Sequence, residues 1–269
     1  MPTNRLDLGR WKPDLACISF YKLFGYPTGV GCLLMRKPMF GKLRRPWFAG
    51  GTVQIASVQG DGHFRANDSA AFEDGTVDYL SLPAVEFGLQ HIESIGIDVI
   101  HERVMCLTGW LLEEMARLRH ANGHPLVEIH GPANSEHRGG TIAFNFVDPE
   151  GRSYDIRRVE ELAAAASISL RTGCFCNPGA GEVAFRLRPE ELAGFFQAGE
   201  GLGFHELRDR IRDRFDKEIG SARISVGLVS NFADAMTFRA FARSFLDRSA
   251  AAVGVPENLQ ACELLADSP

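Results

Sequence analysis

The chain has 269 residues, is 45% hydrophobic and 23% charged, and carries a formal net charge of −5. That is room for one large domain or two modest ones at roughly 100–200 residues each, and the composition excludes wholesale disorder. The mild acidity gives no general pull toward nucleic acid or an anionic membrane surface. No apolar stretch approaches the ~18 residues of a membrane span, and the start, Met1-Pro2-Thr3-Asn4-Arg5-Leu6-Asp7, has no signal-peptide core. The expectation is a soluble, cytoplasmic protein.

Residues 14–20 form a short apolar run that predicts a buried strand. A turn follows, Phe24-Gly25-Tyr26-Pro27-Thr28-Gly29, and residues 30–35 predict a second strand. Residues 46–76 are rich in Gly, Asp and Ser with little periodicity, and a long loop of this kind is usually functional or poorly ordered. Residues 78–95 and 97–120 have helical spacing. In the second, Ile97, Ile100, Val104, Leu107, Leu111, Met115 and Leu118 mark one face. Strands are predicted over 126–130 and 140–147, an Ala-rich helix over 155–167, and a short strand over 168–171. A charged helix over 206–218, a strand over 222–226 and an amphipathic helix over 232–247 close the pattern, with a fraying tail from 249. Mixed strands and helices make the class α/β or α+β. A boundary falls near 119–125, around Ala121-Asn122-Gly123-His124-Pro125. The part before it is thin, because two strands fall short of a usual sheet.

Of the six cysteines, Cys17, Cys32 and Cys106 sit in apolar runs and read as small core residues, and Cys262 lies in the tail. No disulfide framework is expected. Cys174 and Cys176 differ. They lie in Arg171-Thr172-Gly173-Cys174-Phe175-Cys176-Asn177-Pro178-Gly179-Ala180-Gly181, a glycine-rich loop near an arginine. An exposed thiol beside a cation favours the thiolate, the nucleophilic form. A metal site is not expected, because no further Cys or His pair with zinc spacing is nearby. A disulfide between the two would be strained, and two small loop residues are the plain alternative.

Three further stretches carry candidate chemistry. In Ser19-Phe20-Tyr21-Lys22, the lysine follows a strand and precedes a glycine-rich turn. Partial desolvation there favours the neutral amine that a Schiff base with an aldehyde cofactor requires. Ser19 offers a hydroxyl to a phosphate. A surface lysine snorkelling at a strand end is the alternative. In Phe72-Glu73-Asp74-Gly75-Thr76, a Gly-Thr pair ahead of a helix suits a phosphate or serves as a plain N-cap. In Arg223-Ile224-Ser225-Val226-Gly227, an arginine on a late strand either clamps a carboxylate or is simply solvated.

Together these stretches resemble the class V, fold-type I pyridoxal-phosphate enzymes, and within them the aminotransferase-like domain of molybdenum cofactor sulfurases. Residues 18–31, Gly50-Gly51-Thr52, Glu73-Asp74-Gly75-Thr76, 171–180 and 223–227 occur in the family's order, and the likeness runs from about residue 4 to 247. The Arg-Thr-Gly-Cys-Phe-Cys-Asn-Pro-Gly stretch is the specific signature. The resemblance implies a partial large cofactor-binding domain over 1–120, a small α+β domain over 121–248 and a tail over 249–269. It implies that Lys22 holds pyridoxal phosphate covalently and moves the α-proton. Ser19 binds the cofactor phosphate, while Gly75 and Thr76 reach the phosphate of a neighbouring subunit in a homodimer. Arg223, with Arg171, holds the substrate carboxylate. Cys176, with Cys174 as substitute, takes sulfur from L-cysteine as a persulfide and leaves alanine.

Two departures stand out. Gly181 occupies the place where the family often has a third cysteine. The long stretch that precedes the lysine motif in the family, with a ring-stacking aromatic residue and an aspartate for the pyridinium nitrogen, has no counterpart before Lys22. The expectation is therefore a desulfurase or sulfurtransferase that forms a homodimer or pairs with a missing half, the chain being a C-terminal fragment, one product of a split gene or a degenerate relative, with its sulfur acceptor unidentified. The alternatives are a class V aminotransferase or lyase without sulfur transfer, and a non-catalytic module paired with a complete homologue.

Overall fold

A computed structural model describes residues 3–197, 201–215 and 217–256, and the chain divides into two compact units, Met1–His101 and Glu102–Pro269. In chain order the first unit carries α1 (Leu8–Trp11), β1 (Leu15–Ser19), α2 (Tyr21–Phe24), β2 (Gly31–Met35), β3 (Val53–Ser57), β4 (Gly62–Arg65), α3 (Leu82–Ile95) and the start of α4 (Ile97–Arg117). Strands β1 and β2 form an antiparallel pair whose register runs from Leu15 opposite Met35 to Ser19 opposite Gly31. Gly31 is required at that end, since a Cβ there would stand 2.7 Å from the Ile18 carbonyl oxygen. Likewise, a Cβ at Gly88 on α3 would meet the Phe24 ring at 2.3 Å, so glycine lets α2 and α3 meet.

Residues 46–76 are not a structureless loop. They hold the β3–β4 hairpin and a 3-10 turn at Ser69–Phe72, and Thr52 closes the turn that leads into β3. Its hydroxyl accepts from the Ala49 N–H at 3.0 Å and donates to the Ala49 carbonyl at 2.8 Å. Helix α3 starts at Leu82 rather than near residue 78, so Thr76 stands apart from its N-terminus.

The second unit contains β5 (Val127–His130), β6 (Thr141–Phe146), α5 (Ile156–Ala165), β7 (Arg171–Gly173), α6 (Pro178–Ala184), α7 (Pro189–Gln197), α8 (Phe204–Phe215), β8 (Ser221–Ser225), α9 (Phe232–Arg243) and α10 (Ala250–Val253). Its sheet has the order β5-β6-β8-β7, antiparallel throughout. Alternation along β6 turns Ile142, Phe144 and Phe146 into the core. There the Phe146 ring lies 4.8 Å from Phe245 and the Phe144 ring 5.6 Å from Phe238 on α9.

The buried face of α4 joins this same unit. Val104 is fully buried, and its methyl crowds the Cβ position of Gly140. Trp110 meets Phe232 edge-on at 4.8 Å. The units therefore part at 101/102, inside α4, whereas the glycine-proline turn in the sequence marks an edge at 120/121. Arg208 on α8 is fully buried and donates to both Glu218 oxygens, at 2.7 and 3.1 Å, and to Asp155 at 3.3 Å. Asp155 in turn caps α5 through the Arg157 N–H. The predicted strand at 168–171 is shifted to Arg171–Gly173, because Ser167 turns the chain at φ 59° after α5. Residue 262 lies outside the described residues, as does most of the predicted tail. No helix among the described residues is long and apolar enough to cross a membrane.

Candidate active site

The residues singled out in the sequence fall in both units. In the first, Ser19 ends β1, and the chain turns at once into α2, whose second residue is Lys22. Lys22 is exposed rather than partly desolvated, because the short β1–β2 ribbon offers nothing to cover it. Its ammonium lies 5.2 Å from the centre of the Tyr21 ring. Gly75 has φ +72° and donates its N–H to the Gly50 carbonyl at 3.0 Å, which joins the two glycine motifs and leaves Thr76 exposed. Arg45 ties this turn down through Asp74 at 2.5 Å and the Ala71 carbonyl at 3.1 Å. No hydrogen bond among the described residues joins Ser19 or Lys22 to Gly75 or Thr76.

Cys17 and Cys106 are exposed and Cys32 is half-buried, so none is the core residue its sequence context predicts. Burial pushes the Cys32 thiol up, with a smaller contribution from Cys17.

The second unit brings its candidates together. Strands β7 and β8 pair so that Arg171 is directly opposite Arg223. Directly opposed residues share a sheet face. Beyond β7 the chain makes a tight turn, closed by the Asn177 N–H on the Cys174 carbonyl at 3.2 Å. Its central residues, Phe175 and Cys176, both take positive φ, 54° and 56°. Such φ values disfavour residues other than glycine, and they cluster where function holds a side chain in place. Asn177 and Pro178 then start α6, the asparagine side chain accepting from the Ala180 N–H at 3.3 Å.

This turn lays the Phe175 ring under the Arg223 guanidinium at 4.8 Å and leaves both cysteines exposed. Burial pushes the Arg223 guanidinium below the usual arginine range, and the neighbouring charge of Arg171 adds to that, while Cys176 acts the other way. Cys176 is therefore within electrostatic reach of Arg223. Nε of Arg223 is buried with no hydrogen-bond partner. An orphaned buried cationic donor is costly and suits an anion.

An open groove of about 890 Å³ lies here. Its lining includes Cys174, Phe175, Phe185, Arg223, Ser221 and His130. Sequence reasoning passed over His130 and Ser221. The signal for His130 is the period of two along β5, which sends Glu128 and His130 to one face.

Each unit holds groups of its own kind, an amine and hydroxyls that suit a phosphate-bearing aldehyde cofactor in the first and a cation that suits an anion in the second. Lys22 offers an amine with no ion pair among the described residues, Ser19 and Thr76 offer hydroxyls, and Arg223 offers an unsatisfied cation. No cluster of three or more His, Cys, Asp or Glu side chains among the described residues is arranged to hold a metal.

The chain is 37% identical over 244 residues to a molybdenum cofactor sulfurase of Solanum lycopersicum, a match covering 90% of this chain and 29% of that relative. Its fold resembles the apo structure of a cysteine desulfurase from Thermococcus onnurineus NA1, with a TM-score of 0.63 and 20% identity, covering 91% of this chain and 50% of that one. It also resembles a C-DES variant with glycine covalently linked to its PLP cofactor, with a TM-score of 0.59 and 16% identity, covering 91% and 49%. The chain thus spans less than a third of the sulfurase relative and about half of each solved structure. The profile of the family described as aminotransferase class-V matches residues 1–197, and the chain belongs to that family, its mixed α/β fold being that of the fold-type I enzymes.

Proposed function

We propose that the chain forms part of a pyridoxal-phosphate-dependent cysteine desulfurase of the molybdenum cofactor sulfurase type. The observation that carries this reading is the strained turn bearing Cys174 and Cys176 beside the paired arginines, with Arg223 Nε buried and unpartnered. When bound, pyridoxal phosphate supplies an electron-withdrawing ring that stabilises negative charge at the α-carbon of an amino acid. Lys22 holds the cofactor through Nζ and afterwards moves the α-proton. Ser19 binds its phosphate, and Gly75 with Thr76 reaches the phosphate of a second copy, which makes the working unit a homodimer. Arg223 binds the carboxylate of L-cysteine as a fork, assisted by the charge of Arg171. Cys176 then attacks the substrate sulfur as a thiolate: the sulfur–sulfur bond forms, the carbon–sulfur bond breaks, and alanine leaves with Cys176 as the persulfide. Arg223 steadies the thiolate before attack and the neighbouring negative charge afterwards. Cys174 is the substitute carrier.

The test adds pyridoxal phosphate and L-cysteine to the full chain and measures alanine and protein-bound sulfane sulfur. Both are expected, with Cys176→Ser abolishing both and Lys22→Ala abolishing covalent cofactor attachment. Unchanged alanine release by Cys176→Ser would instead favour an aminotransferase or lyase in which the loop cysteines are incidental.

A further inference from the structure

The register of the second unit's sheet sets four residues in one row. His130 lies opposite Ala143, Ala143 opposite Arg223, and Arg223 opposite Arg171. All four residues share one sheet face, and His130, Ala143 and Arg223 line the groove. Neighbouring strands are 4.7–4.9 Å apart, so His130 and Arg223 stand about 10 Å apart at the backbone. Only the methyl group of Ala143 lies in the row between them. The row is thus an open seat with a cation at one end and an imidazole at the other.

The imidazole's state follows from its neighbours. Asn145 is 2% exposed and donates its Nδ2 to the Gly220 carbonyl at 2.9 Å, which fixes the orientation of its amide. Its Oδ1 therefore faces His130 Nε2, at 2.7 Å. An amide oxygen only accepts, so the neutral ring carries its proton on Nε2 and Nδ1 is a lone pair. Phe185 packs edge-on against the ring at 5.2 Å and holds its plane. No hydrogen bond to Nδ1 occurs among the described residues. Glu128 also lines the groove, on the same face of β5 as His130.

We propose that this row binds a small carboxylate carrying a thiol, with the carboxylate on Arg223 and the thiol donating to Nδ1 of His130. His130 is then the residue that recognises the thiol. The inference rests on the sulfur-handling reading for its choice of a thiol as the donor, and it covers two sources of that chemistry, the amino-acid substrate and a thiol acceptor of the sulfur.

The experiment titrates the full chain, without added cofactor and under reducing conditions, with 3-mercaptopropionate and with propionate, followed by NMR of the histidine ring nitrogens. Wild type is expected to bind the thiol about threefold to tenfold more tightly, the span of one net hydrogen bond. The His130 Nδ1 resonance should move with the thiol only. His130→Phe keeps a ring against Phe185 but removes the Nδ1 acceptor, so it should erase the preference for the thiol over propionate. Ala143→Leu should fill the seat and abolish binding of both. A preference that survives in His130→Phe, absence of binding in wild type, or an unmoved Nδ1 resonance overturns the proposal. Competition by L-cysteine assigns the seat to the substrate, and failure to compete assigns it to the acceptor. Because no turnover is read, this outcome is separate from that of the Cys176→Ser assay.

Discussion

Phe144 and Phe146 in the second unit are 0% and 2% exposed, whereas Phe64 and Phe87 in the first are 72% and 71% exposed. The contrast is one of layers. In the second unit, α4 and α9 cover one face of a four-stranded sheet, and rings on β6 and α9 interlock. In the first, two separate two-stranded ribbons carry the lysine motif and the glycine motifs, and α3 buries none of its residues. A two-stranded ribbon is marginal unless its apolar face is covered, and an exposed apolar surface of this kind marks a place for another protein surface. The Cys-Phe-Cys turn thus sits on a scaffold that packing already fixes. The lysine motif sits on one whose apolar residues are left largely exposed.

The sharpest way to break the comparison is to remove a ring from the packed side. Phe146→Ala deletes a ring that touches Phe144, Phe238, Phe241 and Phe245. It should cost about 3–5 kcal/mol, read as a lowered denaturant midpoint for loss of near-ultraviolet dichroism. A midpoint that stays put would mean that the second unit does not carry the chain's cooperative stability.

A smaller effect comes from acid. Burial pushes the Asp148 carboxyl up, but N–H groups of Ala250 and Arg152 and the Arg152 guanidinium outweigh it and hold it at about 2. Burial acts the same way on Asp155, and the hydrogen bond from Arg157 and the charge of Arg208 bring it to about 2 as well. Both lie below the ordinary aspartate value of about 3.9. A carboxyl depressed in the folded state stabilises it fully above the unfolded value and loses that contribution as pH falls through the folded one. The second unit should therefore lose stability between about pH 4 and pH 2. Asp148→Asn should cost about 1–3 kcal/mol at neutral pH and flatten that slope, as measured by denaturant titration at several pH values.

How much of this was legible in the sequence also divides by unit. The strand 140–147 and the helix 97–120 were readable, because Ile142, Phe144 and Phe146 alternate and Val104, Leu107 and Leu111 recur at helical steps, and packing rewards both patterns. The β3–β4 hairpin was not, because neither face of it is buried and no apolar period marks it; its turn is carried by Asp61 at φ 46°. Helix α6 starts within what read as a cysteine loop, and α7 lies in a stretch between 182 and 205 to which no element was assigned. Reading apolar runs as core failed at Cys17 because β1 has no covering layer. The arginines and cysteines were legible by residue type. The facing of Arg171 and Arg223 was not, since antiparallel register between distant strands leaves no local trace, and the row through Ala143 to His130 was missed for the same reason.

The smallest effect belongs to the first unit. Phe64→Ser changes a large apolar side chain on β4 that is 72% exposed. Little area is removed from water there on folding, so the change in the chain's own stability should stay within about 0.5 kcal/mol. Solubility should improve, because an exposed ring on a ribbon edge promotes association. If a second copy or another chain covers this surface, the same substitution should weaken that association by about tenfold to a hundredfold, since a ring buried at an interface contributes about 1.5–3 kcal/mol. Sedimentation of the wild type and the variant across a concentration series reads both effects. Equal association with a lowered midpoint would show instead that the hairpin is buried within the chain, and the contrast between the two units would fail at that point.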